Sequence, residues 1–199
     1  EQDPAHAGRF TMRVLATDPH AGAIPWPGPS ARSITDPVDL GVFEDATTVR
    51  VPLLRRHVLI GGTTDSGKSG VLNVVLGNLA ACSDVVLWGI DLKGGMELRP
   101  WASCLARLAT TPDEATQILA DAVAVLDARA HASSRDNSRV WEPTASAPAL
   151  VIVIDEYAEL ADTAPAAVTH AESIARRGRA VAVDLLAATQ RPTQKAMGG

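Results

Sequence analysis

Lysine is scarce in this chain. Only Lys68, Lys93 and Lys195 occur in 199 residues, against fifteen arginines, and the net charge is −5. That balance excludes a protein coated in basic surface for non-specific capture of nucleic acid, while leaving room for a few focused cationic contacts. Cysteine is scarcer still. Cys82 and Cys104 show no C-x-x-C spacing, so a disulfide framework and a thiolate metal site are both excluded; they read as core residues in a reducing, cytoplasmic setting. Aromatic residues make up 4% of the chain. Trp26, Trp88, Trp101 and Trp141 form no stacking platform and read as packing residues. No apolar run approaches the roughly 18 residues of a membrane span, and the start, EQDPAHAGRF, lacks the apolar centre of a secretion signal. Any membrane anchor is expected outside this chain.

At 46% hydrophobic and 21% charged residues, the composition supports a full core and fits one domain with an arm better than two domains. The arm is residues 1–50. GAIPWPGPSARSITDPV is too rich in proline and glycine for a helix or a central strand, and short β-segments are expected at TMRVLAT, VDLGVF and TTVRVPLL, with Glu44 and Asp45 in a turn. No repeats or low-complexity tracts occur.

One lysine sits where a strand hands over to a helix. LIGGTTDSGKSGVLNV contains G-x-x-x-x-G-K-S from Gly62 to Ser69. The glycines let backbone N–H groups fold around a polyphosphate, Lys68 reaches the outer phosphates, and Ser69 offers a hydroxyl to Mg2+. The cradle is Gly62, Thr63, Thr64, Asp65, Ser66, Gly67, Lys68, Ser69 and Gly70. Context agrees: HVLIG before it is a short β-rich run, and Val71, Leu72, Val75, Leu76 and Leu79 follow at helical spacing. Asp65 is the unusual member. Asp tolerates left-handed backbone, but it brings a negative charge near phosphates.

From His57 onward strands and helices alternate. VVLWGID, ALVIVIDE and VAVDLLAAT read as buried strands. Thr111, Pro112 and Glu114 mark the start of a helix over 111–132, with Ala115, Ile118, Leu119, Ala122 and Leu126 on its apolar stripe. A second helix runs through PAAVTHAESIARRG, with Val168, Ala171, Ile174 and Ala175 on one face and Gly178 as its C-cap. The order predicts an α/β fold, a mostly parallel sheet with helices on both faces. In such sheets ligands gather at the carboxyl ends of the strands, which makes neighbours of Gly62–Ser69, Asp91 with DLKGG, Asp155 with Glu156, and Thr189 with Gln190.

Those ends carry complementary chemistry. Asp155 suits a ligand for hydrated Mg2+, and Glu156 a carboxylate that aligns water for in-line attack on a γ-phosphate. Gln190 either senses the γ-phosphate or satisfies buried backbone groups. DLKGG has two readings: Asp91 and Lys93 flank the nucleotide or a partner subunit, or Gly94 and Gly95 simply make a turn.

With GTTDSGKS, DLKGGMEL, VIVIDEYAEL and AATQRP in this order, the chain resembles the motor domain of FtsK/SpoIIIE-family double-stranded DNA translocases over about residues 40–199. IARRGRA and AATQRPTQKAMG are most similar to actinobacterial TraB-like transfer proteins of conjugative plasmids and integrative elements. The resemblance implies a RecA-like P-loop core over 51–199, ATP with Mg2+, a hexameric ring of this chain, and duplex DNA in its bore. It makes Lys68, Asp155, Glu156 and Gln190 the catalytic set, with Ser69 and Asp155 on the metal. Arg176, Arg177, Arg179, Arg191 and Lys195 are the cations offered for DNA or subunit contact. The family has further core strands, a trans-acting arginine and a winged helix beyond this point, so the chain reads as an incomplete motor, cytoplasmic, with any membrane tether elsewhere. Two rival readings stay open: a type VII secretion ATPase, and a nucleotide-binding scaffold of weak activity.

Overall fold

The computed structural model describes Gly8 and residues 14–191. The first three residues of TMRVLAT and the tail from 192, with Lys195, lie outside the described residues; Val14–Thr17 form no strand.

The main sheet has five strands: β3 (Val58–Gly61), β4 (Val85–Ile90), β5 (Arg107–Ala109), β6 (Ala149–Ile154) and β7 (Val183–Thr189). Their order is β3-β7-β6-β4-β5, and every pairing is parallel. A separate antiparallel pair precedes them, β1 (Val38–Val42) and β2 (Thr48–Val51), with a register shift between Asp39 and Gly41.

Parallel strands need crossovers, and four helices supply them or flank them: α1 (Lys68–Ala80), α2 (Pro112–Arg135), α3 (Tyr157–Thr163) and α4 (Pro165–Arg177). All six residues of β6 are buried, as a central strand covered on both faces requires. Its side chains divide by the period of two. Leu150, Ile152 and Ile154 join the core beneath α2, α3 and α4, with Leu119, Leu126, Leu160 and Ile174. Ala149, Val151 and Val153 face the other core, with Leu72, Leu76 and Leu79 of α1 and with Ile34, Val38 and Leu53. The proline-rich segment is pinned to that second layer. Buried Asn78 accepts N–H bonds from Ser30 and Ala31 at 2.8 and 3.1 Å, and Asp84 accepts the Ser33 hydroxyl at 2.6 Å. The two amide bonds to Asn78 satisfy backbone groups that a Pro/Gly-rich chain leaves outside any ladder.

Several expectations need correcting. Val71 is 37% exposed, on the outer side of α1, and Ala167 replaces Ala175 on the buried stripe of α4. Cys104 is exposed. Gly178 is the C-cap of α4 as expected, in right-handed backbone with φ −69°. Glycine is needed there for space, because a Cβ would run into the Val183 carbonyl oxygen. The last strand begins at Val183, since residues 179–181 make a single 3-10 turn. α2 does carry the full capping box, with Thr111 and Glu114 each accepting from the other's backbone. No helix among the described residues is long and apolar enough to cross a membrane.

Candidate active site

β7 lies between the strand that leads into the glycine loop and the strand that ends at Asp155, so three strand ends converge. Gly62 N–H donates to the Thr189 carbonyl at 3.1 Å, and Asp155 N–H to the Ile90 carbonyl at 3.1 Å. These ladder bonds fix the four sequence features at one edge, the carboxyl edge of the sheet.

The loop from residue 63 to 67 is exposed. Gly67 adopts φ 88° and Asp65 φ 63°, so the left-handed backbone expected of Asp65 is present. At Gly62 a Cβ would meet Ser66 Oγ, so a larger residue at the loop's entry would require that hydroxyl to rotate away. α1 then starts at Lys68 with no side-chain cap and no acid in its first turn. A helix start of this kind presents backbone donors and the positive end of the helix dipole to an anion.

Lys68 itself is only 8% exposed. Its Nζ donates to the Asp155 carbonyl at 3.0 Å and to Asp155 Oδ1 at 3.3 Å. Asp155 is 1% exposed, and its Oδ2 is buried without a hydrogen-bond partner. Burial holds its carboxyl above the usual range, aided by the nearby Asp91 charge, and the Lys68 ammonium offsets only part of this. A buried carboxylate oxygen with a free lone pair beside a phosphate-type loop suits a hydrated divalent cation.

Glu156 is the N-cap of α3. Its Oε1 accepts the Thr189 hydroxyl at 2.7 Å, Gln190 N–H at 3.1 Å and Ala158 N–H at 3.4 Å. Its Oε2 accepts Gln190 N–H at 3.0 Å and lies 3.6 Å from Lys93 Nζ. Burial is the largest single influence on this carboxyl and pushes its pKa up. The hydroxyl, the amides and Lys93 together outweigh it and leave the pKa below the usual value. Gln190 also reaches the loop, its Oε1 accepting the Thr64 hydroxyl at 3.3 Å. Its backbone and side chain therefore do different jobs.

DLKGG resolves into two roles. The buried Asp91 carboxylate accepts N–H bonds from Lys93, Glu97 and Leu98 at 3.1, 2.9 and 3.0 Å and shapes the turn, in which Gly94 and Gly95 take φ 74° and 81°. Lys93 reaches the acid pair. Sequence reasoning placed Thr189 with Gln190 at this edge but gave no role to its hydroxyl, which holds Glu156.

The offered cations are not all at this edge. Arg191 follows Gln190 and pairs with Asp162 at 2.7 Å. Arg176, Arg177 and Arg179 lie beyond the amino end of β7, at the opposite edge of the sheet, where with Arg55 they line an open pocket. Arg177 is paired with Asp127 at 2.7 Å, and Arg179 Nε donates to the Arg55 carbonyl at 3.1 Å. Beneath them Asp184 is buried, accepting Arg55 N–H at 3.1 Å, with His57 Nδ1 4.0 Å from its other oxygen.

Known proteins share both the sequence pattern and the fold. The DNA translocase SftA of Bacillus subtilis (strain 168) is 36% identical over 160 residues, covering 72% of this chain and 17% of that protein. The DNA translocase FtsK of Staphylococcus aureus (strain Mu50 / ATCC 700699) is 30% identical over 185 residues, covering 81% and 23%. The ESX-5 secretion system protein EccC5 of Mycobacterium tuberculosis (strain ATCC 25618 / H37Rv) is 31% identical over 157 residues, covering 67% and 11%. The chain thus spans less than a quarter of each of these relatives. Among solved structures, the pCW3 conjugation coupling protein TcpA, a monomer form with ATPgS, superposes with TM-score 0.69 at 22% identity, over 89% of this chain and 55% of that one. The cytoplasmic domain of the Thermomonospora curvata type VII secretion ATPase EccC gives 0.68 at 23% identity, over 85% and 23%. At those identities the structures speak to the fold. The FtsK/SpoIIIE family profile matches residues 37–147, more than half of the sequence. The chain belongs to the FtsK/SpoIIIE family.

Proposed function

We propose that this chain forms the nucleotide-hydrolysing core of an ATP-driven, Mg2+-dependent translocase of double-stranded DNA, acting in conjugative plasmid or integrative-element transfer or in chromosome segregation. The observation that carries the reading is the meeting of Lys68 with Asp155 beneath the bare start of α1, one buried cation and one buried carboxylate joining the glycine loop to the acid strand. An ordinary turn between core elements has no use for either.

The residues divide the work by position. Loop amides from Gly62 to Gly70 cradle the phosphates, and Lys68 supplies a cation to the outer ones. Ser69 and Asp155 would hold Mg2+, which when bound neutralises charge on the phosphate oxygens. Glu156 orients the attacking water, and Gln190 links that carboxylate to Thr64 in the loop. Arg176, Arg177, Arg179, Arg191 and Lys195 are offered as contacts to duplex DNA or to neighbouring copies in a hexameric ring, which would work on the cytoplasmic side, tethered to a membrane only by segments outside this chain.

A second reading is a secretion ATPase that engages protein signals, favoured by the 31% identity to EccC5. ATP hydrolysis by the full-length protein, measured with and without long duplex DNA, separates the two. Strong stimulation by DNA supports the translocase, and hydrolysis indifferent to DNA turns the assignment toward secretion. Absence of hydrolysis in either condition leaves a nucleotide-binding scaffold.

A further inference from the structure

We propose that Lys93 is a positioning residue for Glu156, holding its carboxylate against the end of β7 and so restraining water activation until the loop after β4 moves. The inference rests on the assignment of Glu156 as the water-orienting acid.

Glu156 is not pointing into open space. Oε1 is engaged by the Thr189 hydroxyl and the Gln190 and Ala158 amides, and Oε2 by the Gln190 amide and the Lys93 ammonium. A carboxylate committed to four donors, one of them the Gln190 amide shared by both oxygens, has little lone-pair capacity left for water. Three of those donors, the Thr189 hydroxyl at the end of β7, the Gln190 amide next to it and the Ala158 amide of α3, are built into the fold. Lys93 comes from the separate loop after β4, and its side chain is 34% exposed, so it is the contact that can be withdrawn.

That loop is a defined object. Asp91 fixes Lys93 N–H at one end and Glu97 and Leu98 N–H at the other, and Gly95 N–H donates to the Asp91 carbonyl at 3.2 Å. Between these anchors stand two left-handed glycines and Met96, which is 75% exposed. A rigid base with an exposed tip transmits a push on Met96 to Lys93, and from Lys93 to Glu156.

Steady-state ATP hydrolysis by the full-length protein tests this with Lys93→Met, Lys93→Arg, Glu156→Gln and the Lys93→Met/Glu156→Gln pair. Lys93→Met is expected to raise kcat by about two- to fivefold, the range a partly exposed ion pair carries, with KM for MgATP unmoved. Lys93→Arg keeps the charge and falls nearer the parent. In the Glu156→Gln background the gain disappears, because the effect runs through that carboxylate. A fall in kcat, a change confined to KM, or a gain that survives Glu156→Gln overturns the proposal. If Glu156→Gln hydrolyses ATP like the parent, the assignment of Glu156 itself fails, a distinct result that takes the inference with it.

Discussion

Lys68 Nζ lies 3.0 Å from the carbonyl oxygen of Asp155 and 3.3 Å from its Oδ1, so the loop's only cation rests on the acid at the end of β6. The pair is buried on both sides, at 6% and 1% side-chain exposure. Such a contact fixes Lys68 near where outer phosphates would sit, and it lowers the cost of keeping Asp155 in a dry strand end.

Replacing Lys68 by Ala removes both functions. Loss of the charge-assisted phosphate contact should weaken nucleotide binding by on the order of 2 to 4 kcal/mol and abolish turnover. Asp155 then loses its counter-ion and its pKa should rise further, since burial already dominates it. Titration with a fluorescent ATP analogue checks the first effect. A variant that binds and hydrolyses like the parent removes Lys68 from the site.

Glu156→Gln keeps the size of the side chain and one acceptor oxygen, so the α3 cap and the Thr189 contact can survive. The charge that orients water is gone, and turnover should drop by roughly a hundredfold or more with nucleotide binding retained. Thermal unfolding should show a loss of no more than about 1 kcal/mol, the size of a helix cap. A larger loss together with lost binding would make Glu156 a structural residue.

Much of this site was readable because its parts obey spacing rules. G-x-x-x-x-G-K-S carries its own geometry, and an all-apolar strand ending in Asp155-Glu156 announces both its burial and the placement of the acid pair at the carboxyl edge of the sheet. β5 was missed because Arg107–Ala109 is three residues, too short to show a period. α3 was missed because its seven residues begin on Glu156, a residue already assigned to chemistry that also serves as cap. The Lys93–Glu156 contact depends on where a left-handed Gly-Gly turn aims a side chain, and no linear pattern encodes that.

Asp65→Gly should tighten nucleotide binding modestly. The backbone there already sits at φ 63°, a region glycine enters freely, and the change removes a carboxylate from an exposed loop meant to face phosphate oxygens. The gain should shrink at high salt, where exposed charges are screened. Calorimetric titration with MgATP at two ionic strengths reads it, and weaker binding would show that Asp65 makes a contact the nucleotide needs.

Asp184 should make folding stability fall as pH rises. Burial, the largest influence, lifts its pKa from 3.8 to about 7 against the pull of the Arg55 amide and of the Arg179, Arg55 and Arg129 charges. An acid with a raised folded pKa keeps its proton in the folded state after the unfolded chain has lost it. Its contribution is therefore full below about pH 3.8, declines from there to about pH 7, and is flat above. Between pH 5 and 8 the decline should be about 2 to 3 kcal/mol, from roughly two pKa units at 1.4 kcal/mol each. His57 runs the other way. Its pKa is depressed, chiefly by burial and then by Arg179, so its contribution is present above the unfolded value of 6.5 and is lost as pH falls through the folded pKa. Comparing the parent with Asp184→Asn separates the two, since Asn keeps an acceptor for the Arg55 amide and cannot ionise, while His57 is common to both proteins. Urea unfolding at intervals from pH 5 to 8 should show Asp184→Asn gaining on the parent as pH rises, with the gain complete near pH 8. Parallel curves would mean that Asp184 is already ionised at pH 5, and that the arginines at this edge, not burial, set its charge.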